Sequence, residues 1–102
     1  MTRLLEKRVN RRYSLTRSAR CYTARGRVIE GTMTDLSRSG CCIFSPRPPL
    51  RDGDLISVRI DGMEGFAGRV RWVRGPMMGV RFESDLYEPI VRHLAAYRAV
   101  DR

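Results

Sequence analysis

Two short stretches hold side chains that together could bind an anion. The first is Arg8-Val9-Asn10-Arg11-Arg12-Tyr13, an Arg-x-x-x-Arg followed by an aromatic ring. Each guanidinium is a permanently charged planar fork that pairs with phosphate, grips the acceptor edge of guanine, or stacks on a flat ring. The second is Asp35-Leu36-Ser37-Arg38-Ser39-Gly40. A carboxylate, a hydroxyl and a glycine at this spacing close a tight turn through their own side chains, or offer a polar ledge that a ligand can approach closely. Singly, each stretch reads first as structure, since arginine pairs are common in so basic a chain.

Catalysis finds no comparable support. His93 is the single histidine and has no evident nucleophile or carboxylate beside it. The three cysteines, Cys21, Cys41 and Cys42, are odd in number and two are adjacent. With no Cys-x-x-Cys or His-x-x-x-His spacing, neither a disulfide framework nor a zinc site is expected. The cysteines read as small buried or half-buried apolar residues. No enzyme activity and no resident cofactor are expected.

Charge favours a polyanionic partner. The 102 residues carry 20 Lys+Arg against 11 Asp+Glu, a formal net charge of +9. Residues 1–27 hold nine of the basic residues and one acid, Glu6, so the excess is concentrated at the N-terminal end. The remainder is nearly neutral and reads as a scaffold. No apolar run approaches the roughly 18 residues of a membrane span. The first residues lack the apolar centre of a signal peptide. The expected setting is therefore cytoplasmic.

The elements that must position these residues are mostly strands. Residues 1–14 read as a flexible basic arm. Residues 27–34 alternate, with Ile29 and Met33 on one face; residues 41–45 form a short strand stopped by prolines; residues 55–60 place Ile56, Val58 and Ile60 inward. Residues 66–73 alternate Phe66, Gly68, Val70 and Trp72 against Ala67, Arg69, Arg71 and Val73, which assigns Trp72 to the core in preference to a stacking face. Val80 and Phe82 point inward from residues 79–83, and a weaker strand lies near 15–22. Six short strands separated by turn signals make a small antiparallel barrel or sandwich. After Ser84 and Asp85 as N-caps, Leu86, Ile90, Leu94 and Tyr97 fall at helical spacing with Tyr87 and Val91 alongside, giving a helix over 86–100.

Arg8 and Arg12, followed by Asp35, Ser37 and Gly40, in that order before a small β-domain ending in a helix, resemble the PilZ family of bacterial cyclic di-GMP receptors. Gly79-Val80-Arg81-Phe82 is similar to the family's last strand and residues 68–73 to the strand before it. The resemblance covers nearly the whole chain. It implies an all-β fold with a terminal helix: a six-stranded antiparallel barrel over 15–102, with the ligand against the barrel exterior. It assigns Arg8 and Arg12 to phosphate and guanine, Asp35 and Ser37 to base and phosphate, and Gly40 to a backbone contact. Lys7, Arg11, Arg38 and Trp72 are auxiliary candidates. Lys7 stands where many relatives have arginine; it keeps the charge and loses the fork. The implied function is a receptor that changes conformation on binding and signals in trans to a downstream protein the sequence does not identify. The alternative is a basic β-barrel that binds nucleic acid, which asks for several exposed aromatics on one sheet face.

Overall fold

The computed structural model describes residues 11–96 apart from 47, 61, 62 and 64. Six strands precede one helix: β1 (Tyr13–Thr23), β2 (Val28–Leu36), β3 (Gly40–Phe44), β4 (Leu55–Ile60), β5 (Phe66–Arg74), β6 (Met77–Phe82) and α1 (Glu88–Ala96). The strands close into a barrel in the order β1-β2-β3-β6-β5-β4, antiparallel throughout. Closure removes every free strand edge.

Alternation builds the interior. Cys21, Met33, Ile43, Val58, Ile60, Val70 and Met78 are fully buried. Burying one such side chain stabilises the fold by roughly 1.5–3 kcal/mol, so this row holds the barrel together. Arg74-Gly75-Pro76-Met77 joins β5 to β6 through two central residues. Gly75, at φ +57°, supplies the positive φ that a hairpin of this kind needs at its first central position.

The helix closes one end and packs on β1 through Val91 and Leu94. It differs from the sequence expectation in three ways. It starts at Glu88, with the Tyr87 carbonyl accepting from the Val91 amide at 3.3 Å, so Tyr87 holds the capping position expected of Ser84 or Asp85. The intervening segment is occupied instead by a clasp: the Leu86 amide donates to the Arg38 carbonyl at 2.8 Å, and Arg38 Nε donates back to the Leu86 carbonyl at 2.8 Å. Tyr87 is 69% exposed and faces away from the core. Tyr13 Oη donates to Glu88 Oε2 at 3.0 Å and ties the start of β1 to the first turn of the helix. Tyr97 and the residues after it lie outside the described residues.

Candidate functional site

Three register irregularities interrupt the strand pairings, and two of them, on β2 and β5, each re-aim one side chain. Along β2, Ile29 and Met33 point inward, and by parity Asp35 would follow them. The β2–β3 register passes from Met33↔Ile43 to Asp35↔Cys42, leaving Thr34 as an extra residue. Beyond it Leu36 is fully buried and Asp35 stands on the outside. Along β5 the register passes from Val70↔Val80 to Trp72↔Gly79, leaving Arg71 extra. Trp72, assigned to the core by alternation, therefore lies on the barrel exterior, and Val73 turns inward opposite Met78. Bulges recur beside binding sites because one added residue redirects a side chain without dismantling the sheet.

Re-aimed in this way, Asp35, Cys42, Gly79 and Trp72 form one outward row across β2, β3, β6 and β5. Three strand spacings separate its ends, about 14 Å. The middle of the row is low because Cys42 is small and Gly79 has no side chain. A Cβ at Gly79 would run into the Trp72 indole, so the ring occupies the space over that glycine. Arg74 stacks on the indole, its guanidinium carbon 5.3 Å from the ring centroid. The next row places Gly40 opposite Arg81, and Arg81 opposite Arg69. Gly40 is glycine for a steric reason: a Cβ there would collide with the Val80 carbonyl.

The Asp35–Gly40 segment is a turn closed on itself. The Ser37 amide donates to the Gly40 carbonyl at 2.8 Å, and the Ser39 amide donates to Ser37 Oγ at 3.2 Å. Ser37 is only 5% exposed, so its hydroxyl shapes the turn while bordering the concavity.

Arg12 brings the two motifs together. Its Nε donates to Asp35 Oδ2 at 2.8 Å and its Nη2 lies 2.6 Å from the same oxygen. Nη2 also reaches Cys42 Sγ at 3.6 Å. The Asp35 hydrogen bond raises the Arg12 pKa, against a smaller opposing effect of burial, so the cation is permanent. Burial raises the Cys42 thiol, with Asp35 adding to it and Arg12 opposing. Around this pair lies a concavity of about 410 Å³ bordered by Arg12, Ser37, Gly40, Trp72, Arg71 and Arg81.

Of the residues singled out in the sequence, Arg12, Ser37, Gly40 and Trp72 border this concavity, and Asp35 pairs with Arg12 at its rim. Lys7 and Arg8 lie outside the described residues. Arg11 stacks on Tyr13, its guanidinium carbon 5.2 Å from the ring centroid, and does not border the concavity. Arg38 is committed to Leu86 and is likewise absent from the rim. Sequence reasoning missed Arg71, Arg81 and the floor formed by Cys42 and Gly79. Alternation marks both arginines as outward, but only the strand order β3-β6-β5 places them beside the Asp35–Gly40 turn.

No helix among the described residues is long and apolar enough to cross a membrane. No curated protein matches the sequence. The model of the PilZ domain, a family of cyclic di-GMP receptors, matches residues 6–99 and so takes in both motifs and the whole barrel; the chain belongs to that family.

Proposed function

We propose that this chain binds cyclic di-GMP in the concavity beside the Arg12–Asp35 pair and acts as a non-catalytic receptor. The observation that carries the reading is that pair: it unites two motifs 23 residues apart on one face of the barrel. The ligand presents two phosphates and two guanines. Arg12, with Arg8 ahead of it, takes phosphate and the O6/N7 edge of guanine. Ionised Asp35 is acceptor-only and suits the N1–H and N2–H donors of guanine. Ser37 and Gly40 form the polar, closely approachable ledge, and the Trp72 indole, with Arg74 stacked on it, borders the concavity beside Cys42. Three or four charge-assisted contacts of roughly 1.5–3 kcal/mol each offset the entropy of association and leave about micromolar affinity.

Binding would change the surface that this face of the barrel shows to a downstream protein. The nucleic-acid reading is less well supported. Among the described residues the exposed aromatics are Phe44 on β3 and Tyr87 just before α1, which do not share a sheet face. Calorimetric titration with cyclic di-GMP tests the proposal. Wild-type protein is expected to saturate, while Arg12→Ala and Asp35→Ala weaken binding at least tenfold. A wild type that gives no saturable binding ends the receptor reading, and two variants that bind like wild type end the site assignment.

A further inference from the structure

Arg71 and Arg81 face the concavity from the wall opposite Asp35, and neither is explained by the fold. Both are exposed, and among the described residues neither takes part in an ion pair. Arg81 stands directly across β5–β6 from Arg69, and like charges at such a position destabilise a sheet. Arg69 relieves the conflict in part by donating from Nη1 to the Gly53 carbonyl at 3.0 Å, away from the concavity. Among the described residues Arg81 has no such outlet. On the opposite wall the Asp35 charge is already balanced by Arg12. Among the described residues, Arg71 and Arg81 are therefore left as positive charges with neither an ionic nor a neutral partner, over a floor made low by Gly79 and Cys42.

We infer that Arg71 and Arg81 are ligand-binding residues that take a phosphate of the bound dinucleotide, forming a second cationic pole across the concavity from Arg12. The inference rests on the receptor reading above and adds two binding residues to it. The β5 bulge is what makes the pole: Arg71 is its extra residue and shares the outer face with Trp72, so one local irregularity presents both a cation and a ring to the ligand.

The test is titration of the full chain with cyclic di-GMP at several salt concentrations, comparing wild type with Arg71→Gln, Arg81→Gln and Arg69→Gln. Each of the first two is expected to weaken binding about tenfold and to flatten its salt dependence, because one phosphate contact is lost. Arg69→Gln, outside the concavity, is expected to leave both unchanged. Without ligand, Arg81→Gln should unfold at or above the wild-type temperature, since it removes the like-charge pair. If wild type binds and both Arg71→Gln and Arg81→Gln match it in affinity and salt slope, the inference fails and the receptor reading stands. If wild type does not bind, both fall together.

Discussion

Two glycines of the site differ in what surrounds them, and alanine at each should separate folding from binding. At Gly40 the atoms nearest an added Cβ are all main chain: it overlaps the Val80 carbonyl oxygen and lies 3.2 Å from the Val80 carbonyl carbon and 3.3 Å from Arg81 Cα. None of these atoms can rotate away. Relief requires β3 to part from β6 near the Gly40↔Arg81 pair. One or two weakened backbone hydrogen bonds cost about 1 kcal/mol each, and the forced shift adds about 1–3 kcal/mol. Gly40→Ala should therefore lose about 2–5 kcal/mol. At about 4–8 °C per kcal/mol for a domain of this size, the midpoint should fall by at least about 8 °C. At Gly79 the atoms nearest the added Cβ all belong to the Trp72 indole, which lies on the outside of the barrel and can swing outward. Gly79→Ala should cost less than about 1 kcal/mol, the range of a surface adjustment. It should, however, move the emission of the single tryptophan toward that of an exposed indole and weaken nucleotide binding. Thermal unfolding followed by circular dichroism, with emission spectra of the native proteins, reads both effects. A Gly40→Ala protein that melts within a degree or two of wild type would refute the steric reasoning. So would a Gly79→Ala protein with an unchanged emission maximum.

Three further outcomes follow from the same geometry. Asp35→Asn should change unfolding free energy by no more than about 1 kcal/mol, because the pair it breaks is largely solvated, with the Arg12 side chain 64% exposed; calorimetry should nevertheless show at least about a tenfold loss of cyclic di-GMP affinity. Burial pushes the Cys21 thiol from 9.0 up to about 11. The folded state thus holds that proton after the unfolded state has released it, so stability present below pH 9 declines by up to about 3 kcal/mol as pH rises from 9 to 11. Denaturant unfolding across that range should show a shallower decline for Cys21→Ala; equal slopes would count against it. Under native conditions a small alkylating reagent should modify Cys42 alone and slowly, since burial raises its thiol too and buries Cys21 and Cys41 outright; cyclic di-GMP should slow the reaction further, and mass spectrometry that finds Cys21 or Cys41 labelled first would contradict the placement.

How far the sequence carries the structure depends on whether a residue's face is set by local alternation or by its neighbours. Ile56, Val58 and Ile60 read as a strand facing inward because nothing interrupts their period of two, and β4 occupies that span. The Asp35-x-Ser37-x-x-Gly40 turn is legible for the same local reason, since the hydrogen bonds that close it, between Ser37 and Gly40 and between Ser39 and Ser37, join residues no more than three apart. Trp72 is not legible. Its inward assignment continues the parity of Phe66, Gly68 and Val70, and the bulge that reverses it is set by register against β6, where Gly79 leaves room for the indole. Asp35 meets the same difficulty on β2: parity with Ile29 and Met33 would bury an unpaired carboxylate, a costly outcome, and the bulge at Thr34 avoids it. The two irregularities share a logic. A closed barrel whose strands alternated without interruption would put both Asp35 and Trp72 inside and leave a smooth exterior. By spending one extra residue on each of β2 and β5, this chain turns a carboxylate and an indole outward about 14 Å apart, over a floor of Cys42 and Gly79. The proposed binding face is thus made where the barrel departs from its own period, and that departure becomes visible only once β3 and β6 lie between the two strands.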